Sequence, residues 1–240
     1  MPEETTTRPP KRENTWLSLS LNILIPALIM MKGTQWFGLP PAANLVFALA
    51  FPISYGFYDF VLRRKYNVFS IIGFISILLT GGIGLLELPP QWIAVKEAGI
   101  PAILGVAVIL SLKTRYPIIK FLLLRDEFID VDRLNRELEA RDNRTAFDRL
   151  LGRCTYLLAF SFLVSAILNY ILARMIVVSP SGTEAFNDEL GRMTLWSLLV
   201  IVVPCMIIMM VALFYLFRGI KDLTGLELEV LLRDAQKESS

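Results

Sequence analysis

The chain has 240 residues, of which 55% are hydrophobic and 19% are charged, and its mean hydropathy is +0.56. Because soluble domains carry about 25% charged residues, this composition excludes an ordinary soluble domain and indicates an integral membrane protein. The net charge of +2 gives no reason to expect a nucleic-acid partner, and the absence of histidine removes the usual catalytic base and most metal sites. We therefore expect a protein that is not an enzyme and holds no cofactor.

Two apolar runs follow a polar N-terminal tail, residues 1–15. The first run, residues 16–31, is short for a hydrocarbon core that needs roughly 20 residues, so we expect it to recruit neighbouring residues at each end. The second run, residues 42–62, ends in three basic residues, which indicates the cytoplasmic face. Asp59 lies four positions before Arg63 in this run. Two interpretations stay open, an ordinary ion pair and a carboxylate that faces a polar cavity.

The third and fourth apolar runs, residues 67–86 and about 95–112, are joined by a short link that contains two prolines. Its length and its prolines predict a tight hairpin between the two spans. Gly81, Gly82 and Gly84 form a patch of small residues near the end of the third run. Such a patch lets another helix approach closely, although it could also bend the helix, and we interpret it as a helix-packing site.

Three charged residues lie at this hairpin, with Glu87 at the end of the third run and Lys96 and Glu97 at the start of the fourth. In one interpretation all three are solvated at the outer headgroup level, and the lysine snorkels towards water. In the other, the link dips inward and Lys96 is held between the two acids as a polar core or substrate contact. A charge inside a membrane is costly, so burial of Lys96 would make a functional role the expectation. Together with Asp59, these residues form the candidate intramembrane polar site.

The segment over residues 113–153 is of a different character, because it carries ten basic residues balanced by many acids. We predict one or two amphipathic helices that lie on the cytoplasmic side, along the membrane or against the helix bundle. The near balance of charge argues against a simple polybasic clamp for anionic lipid. The prediction rests on apolar residues at mostly helical spacing, namely Ile129, Val131, Leu134, Leu138, Phe147 and Leu150.

Two further apolar runs, residues 154–173 and 194–217, complete the set of predicted spans. We interpret residues 179–192 as a polar loop between them and residues 218–240 as a cytoplasmic C-terminal tail. The predicted fold is therefore an all-α integral membrane protein. It has six transmembrane helices and an amphipathic cytoplasmic helical segment between spans four and five. Its membrane part divides into a four-span unit, residues 16–112, and a two-span unit, residues 154–217.

The distribution of lysine and arginine predicts the orientation of these spans. The N-terminal tail, the loop after span two, the 113–153 segment and the C-terminal tail hold 3, 3, 10 and 4 basic residues. The loops on the opposite side hold the remaining 4 of the 24. Basic residues collect in cytoplasmic loops, so a division of 20 to 4 predicts six spans with both termini in the cytoplasm.

The centre of the chain resembles a known family. The motifs are RRKYN at a basic helix end, TGGIGLLE at the end of a span, a link with tryptophan, a lysine and then a proline, and YPIIKFLL after the next span. In this order, over residues 42–124, they resemble the bacterial intracellular septation protein A family. Four residues separate the lysine from the proline here. The positions that correspond are Gly81, Gly82, Lys96, Pro101 and Pro117.

Spans five and six and the charged segment are not part of this resemblance, and the whole chain is similar to an uncharacterised group of six-span bacterial membrane proteins distantly related to that family. The resemblance implies a protein of the bacterial inner membrane, linked to maintenance of the cell envelope and to division through protein contacts. It implies no catalytic residues. We therefore expect a non-enzymatic protein that contacts the lipid bilayer and either membrane-protein partners or further copies of itself. The alternative is a small transporter or channel with polar sites at spans two to four. In that case the hinges would be the prolines at Pro26, Pro52, Pro101 and Pro204.

Overall fold

The computed structural model describes residues 20–63, 68–113 and 131–226, and for residues 58–63 and 68–70 it describes the backbone alone. These residues form helices joined by short links, with no strand in this part of the chain. The prediction of an all-helical protein is confirmed. Long apolar runs become helices because a helix satisfies its backbone N–H and C=O groups internally, without help from water.

We number the α-helices of the described residues in chain order. They are α1 (Ile25–Phe37), α2 (Pro41–Arg63), α3 (Val68–Leu85), α4 (Gln91–Ser111), α5 (Val131–Ala140), α6 (Arg144–Ile176), α7 (Glu184–Ser197) and α8 (Val203–Thr224). Two short π-helical turns accompany them. Ser20–Leu24 precedes α1, and Leu198–Val202 joins α7 to α8.

Three helical stretches of the described chain are long and apolar enough to cross a membrane. They are α4, α6 and the continuous stretch Glu184–Thr224, which comprises α7, the second π-turn and α8. Two shorter apolar helices, Pro41–Phe57 and Ile71–Leu85, lie within α2 and α3. The length and composition of the three long helices indicate a membrane protein.

The boundaries of two long helices differ from those predicted. Helix α6 has 33 residues and therefore rises about 50 Å, well beyond a hydrocarbon core of roughly 30 Å. It begins at Arg144, ten residues before the apolar run at 154. Helix α4 begins at Gln91, four residues before the predicted start near residue 95. As a result, Lys96 and Glu97 lie in the second turn of α4, and only residues 86–90 form the link.

The predicted polar loop over residues 179–192 is wrong from Glu184 onward, where α7 begins. Thr183 caps this helix, because the backbone N–H of Phe186 donates a hydrogen bond to Thr183 Oγ1 at 3.2 Å. Phe186 and Leu190, four positions apart, are fully buried. The polar composition of the segment thus belongs to an amphipathic helix, whose apolar stripe is narrow and easily read as loop.

The helices group into two compact units, and the predicted division into a four-span and a two-span membrane unit stays a prediction. The first comprises the chain up to Pro90 together with Val177–Leu195, and the second comprises Gln91–Ile176 and the chain from Trp196. In the first unit, α2 packs against both α1 and α3. Its buried apolar residues include Ala27, Leu45, Ala48, Ile83 and Phe186.

In the second unit, α6 packs against α4 and, antiparallel, against α8. Contacts fix the antiparallel register of α6 and α8. Near the start of α6, Arg153 donates a hydrogen bond to Tyr215, whereas further along α6 the Sγ of Cys205 lies 3.7 Å from the carbonyl oxygen of Ser161. Residue numbers therefore rise along one helix as they fall along the other, so the start of α6 lies beside the end of α8.

A hydrophobic cluster holds the short helix α5 at this end of α6 and α8. The apolar residues of α5, Leu134 and Leu138, are 1% and 0% exposed. The side chain of Asn143 closes the same end by donating a hydrogen bond to the carbonyl of Leu223 at 2.8 Å. The buried members of the cluster are Leu134, Leu138, Phe147, Leu150, Leu151, Cys154, Leu216 and Ile220.

Several predictions lie outside the described residues. They are the N-terminal tail over residues 1–15, the part of the amphipathic segment over 114–130, and the C-terminal tail from 227 to 240. The side chain of Asp59 also lies outside them, so the proposed ion pair between Asp59 and Arg63 stays a prediction.

Candidate functional site

Lys96 in α4, a residue of the predicted polar site, carries a charged side chain that is almost entirely buried. Its side chain is 6% exposed, and its Nζ lies 2.6 Å from Glu97 Oε1, in a carboxylate that is 25% exposed. The two residues are adjacent in a helix, where neighbouring positions do not face each other. The contact therefore depends on the long lysine side chain, which bends round to reach the carboxylate.

This ion pair sits in a helix that is able to cross a membrane. An ammonium removed from water is very costly unless a carboxylate balances it, and Glu97 supplies that balance at contact distance. The pair is neutral as a whole, and it is more accessible on the Glu97 side. A polar or anionic group that approached Lys96 would compete with Glu97 for the ammonium.

Glu87 has a different setting from Lys96. It is exposed, and it follows the end of α3 with a left-handed backbone, φ 51°. The N–H of Leu88 donates to the carbonyl of Ile83 at 3.0 Å, and the N–H of Glu87 points to the carbonyl of Gly84 at 3.4 Å. This is the Schellman arrangement that closes a helix, in which glycine normally occupies the left-handed position. Glu87 therefore has a local role as the closing residue of α3.

Gly182 lies against the side chain of Glu87 within the same unit. A Cβ added at Gly182 would lie 2.9 Å from Glu87 Cγ, and the backbone of Gly182 is left-handed with φ 81°. The left-handed backbone favours glycine, and any larger residue would also have to displace the Glu87 side chain. The loop before α7 is in this way fitted to the link after α3.

The three glycines of the predicted packing patch face different surroundings. A Cβ at Gly84 would collide with Leu45 Cδ2, and one at Gly81 would lie 3.1 Å from Leu49 Cδ1, so both glycines receive side chains of α2. Around Gly82 no atom of a neighbouring element in the described part of the chain lies within 4 Å of such a Cβ. Gly81 and Gly84 thus let α2 and α3 approach, whereas Gly82 stays open on α3.

Two polar residues that the sequence analysis did not single out organise the first unit. Asn187 is 1% exposed and donates a hydrogen bond from Nδ2 to the carbonyl of Pro41 at 2.8 Å. Glu189 accepts hydrogen bonds from the backbone N–H groups of Val178 and Ser179 and from the hydroxyl of Ser179, at 2.6–2.9 Å. The signal in the sequence was the capped helical pattern that begins at Thr183, which places both residues on a helix instead of a loop.

Asn44 is a third polar residue in this unit, and it is completely buried. Its Nδ2 donates to the carbonyl of Met30 at 3.3 Å, while its Oδ1 accepts no hydrogen bond from the described residues. Amide contacts of this kind hold helices together where lipid supplies no competing partner. Asn44 and Asn187 therefore serve helix packing, with their amides directed at backbone carbonyls.

No group of three or more Cys, Asp or Glu side chains that could hold a metal ion occurs among residues 20–63, 68–113 and 131–226. No protein-family model, curated protein or solved structure matches the chain.

Proposed function

We propose that the chain is a non-enzymatic, multi-pass protein of the bacterial inner membrane that acts through helix contacts with other membrane proteins or with further copies of itself. The proposal includes six spans and cytoplasmic termini. The three membrane-capable helices and the two shorter apolar ones support the spans, and the 20 to 4 division of basic residues supports the orientation.

The observation that carries this proposal is the exposed face of α3. Ile71, Ile75, Leu78 and Leu85 are each about half exposed, and their spacing places them in one row along the helix. Gly82 lies in the same row and forms a notch, because no neighbouring element among the described residues fills the space that a side chain would take there. An apolar row with a notch at one end suits the close approach of a second transmembrane helix.

The resemblance to the septation protein A family supports the same proposal. Gly82 is one of the positions that correspond in that family, and it is the glycine of the patch that α2 does not occupy. We propose that the protein contributes to the cell envelope through this face, as a relative of the septation proteins.

Cysteine cross-linking in intact membranes tests the contact. The protein used would lack its two native cysteines, Cys154 and Cys205, and carry Leu78→Cys in the exposed face of α3. We expect a cross-linked product whose mass identifies either a second copy or another membrane protein, and we expect Gly82→Leu to abolish it.

The matched control is Ile103→Cys, which is 70% exposed on α4 and lies outside the exposed face of α3. We expect that variant to give no discrete product. Cross-linking that is equal at both positions, or that survives Gly82→Leu, would contradict the proposed contact, because random collision in the bilayer would then explain it.

A second function, a small transporter or channel, is favoured by the burial of Lys96. A lysine that is 6% exposed in a membrane-capable helix is typical of a site on an ion or substrate path. Proteoliposomes that contain a pH-sensitive dye would test proton flux for the wild type and for Lys96→Met. Lys113→Met, an exposed position just after α4, is the control. Flux that depends on Lys96 alone would favour transport over the contact function.

A further inference from the structure

A groove runs along the second unit between α6 and α8, where the side chains of the two helices leave a space between them. Its volume is about 470 Å³, which lies within the range of roughly 300–1,000 Å³ typical of ligand pockets. It is open along one side. The residues that line it are Arg153, Tyr156, Leu157, Phe160, Val211 and Tyr215.

The two walls of the groove are regular helix faces. The four lining residues of α6 lie on one face of the helix, because Tyr156 and Leu157 are each three or four positions from both Arg153 and Phe160. This face is about 10 Å long. Val211 and Tyr215 lie four positions apart on α8 and form the opposite wall. Apart from the Tyr156 hydroxyl, polar groups are confined to the end where Arg153 and Tyr215 meet.

At that end, Arg153 Nη1 donates a hydrogen bond to the hydroxyl oxygen of Tyr215 at 2.9 Å. The arginine is exposed, and it forms no ion pair with a carboxylate of the described residues. Its guanidinium therefore keeps further N–H groups directed outward, and the Tyr215 hydroxyl, which accepts from Arg153, keeps its own hydrogen for donation. Both groups are donors that an anion would satisfy.

The position of Arg153 along α6 relates the groove to the bilayer. Arg153 directly precedes the apolar run over residues 154–173, and Tyr215 lies two residues before the end of the run over 194–217. This end of the groove is consequently at the level of the lipid headgroups, on the side that carries most of the basic residues. From there the walls continue past Tyr156 and Phe160 into the hydrocarbon region.

We propose that this groove binds one glycerophospholipid, with the phosphate on Arg153 and Tyr215 and an acyl chain along Tyr156, Phe160 and Val211. Charge complementarity selects this occupant. A cation with a hydroxyl at the headgroup level and apolar walls below it match a molecule with an anionic head and an apolar tail. Guanidinium groups bind phosphate through two parallel hydrogen bonds, which a lysine in this position would not reproduce.

Native mass spectrometry of the full-length protein, released from detergent, would test the proposal. We expect one phosphatidylglycerol to remain bound to the wild type, and diacylglycerol with the same acyl chains, which lacks the phosphate, to be lost. Arg153→Gln should lower phosphatidylglycerol affinity about tenfold, the size of effect expected when hydrogen bonds to a charged group are removed. Val211→Trp, which fills the groove and keeps Arg153, should also displace the lipid.

Arg174→Gln is the matched control, because Arg174 lies on the same helix α6 near its opposite end. We expect this variant to retain the lipid as the wild type does, and inorganic phosphate not to displace it. Equal retention by the wild type, Arg153→Gln and Val211→Trp would overturn the proposal, as would equal binding of diacylglycerol. If Arg153→Gln does not fold, Tyr215→Phe and Val211→Trp provide the same comparison.

Discussion

Lys96 and Glu87 were predicted to belong to one polar site at the hairpin before α4, and the structure gives them opposite environments. The Lys96 side chain is almost entirely buried and contacts a carboxylate on the same helix. Glu87 is exposed, and its backbone closes α3. The difference shows that two charged residues close in sequence can have separate roles. Lys96 acts through its side chain, and Glu87 acts through its backbone.

The consequence is a difference in what substitution should do at each position. At Lys96, loss of the charge leaves a partly buried carboxylate without its cation. At Glu87, loss of the charge leaves no buried partner unpaired. A residue with a different preference for the left-handed conformation, however, changes the stability of the end of α3. Variants at these two positions therefore separate electrostatic effects from conformational ones.

Lys96→Met should have the largest effect. Methionine keeps the volume of the side chain but leaves Glu97 without its ion-pair partner, and we expect a loss of about 3 kcal/mol in the free energy of unfolding. Thermal unfolding of the purified protein in detergent would measure it. The double variant Lys96→Met with Glu97→Gln should recover at least half of the loss. Equal stability of the single variant and the wild type would show that the pair does not contribute.

Gly182→Ala should have the next largest effect, on the Glu87 side of the comparison. Alanine in a left-handed conformation costs about 1–2 kcal/mol, and its Cβ would also collide with Glu87 Cγ. We expect lower thermal stability, of which Glu87→Ala in the same chain restores the part due to the collision. No recovery in the double variant would indicate that the strain of the Gly182 backbone alone determines the loss.

Glu87→Gly should raise stability by up to about 1 kcal/mol, because glycine adopts the left-handed conformation without steric cost. Glu87→Gln, which removes the charge and keeps the Cβ, should leave stability unchanged. Asp142→Gly is a parallel test, since Asp142 closes α5 with φ 53° in the same hydrogen-bonded arrangement. A loss of stability in Glu87→Gly would show that the carboxylate has a role that its exposure does not suggest.

The smallest effect on stability is expected at Gly82, in contrast to its neighbour Gly84. Gly84→Ala places a methyl group against Leu45, so we expect a loss of about 1–3 kcal/mol through overpacking. Gly82→Ala meets open space and should change thermal stability by less than about 0.5 kcal/mol. Comparable losses at both positions would mean that Gly82 has a structural role within this chain as well.

Features that depend on local composition could be predicted from the sequence. The helical fold and the positions of the apolar stretches followed from runs that are too hydrophobic for a soluble domain. The patch of small residues was also recognisable, because glycine in an apolar helix permits close contact wherever it occurs. The sequence pattern could not predict which of these glycines α2 covers, because this depends on the rotation of α3 about its own axis.

Helix boundaries were less predictable where polar residues continue a helix. Helix α6 extends ten residues before the apolar run, because Phe147 and Leu150, which precede that run, pack with α5 and α8. The first nine residues of α7, 184–192, were mistaken for a loop because the buried stripe there is narrow and most of the other residues are polar. In both cases, tertiary packing stabilises a helix that its composition alone does not demand.

By itself, the sequence determined that this chain is helical and belongs in a membrane, because the free energy of placing apolar side chains in lipid depends on which residues are present. Tertiary structure alone decided which charges and glycines are covered. Whether Lys96 is buried, whether Gly84 or Gly82 meets a neighbour, and whether Arg153 stays open above a groove depend on other helices. A side chain is buried by the residues that surround it, and residues distant in sequence become its neighbours only when the helices pack together.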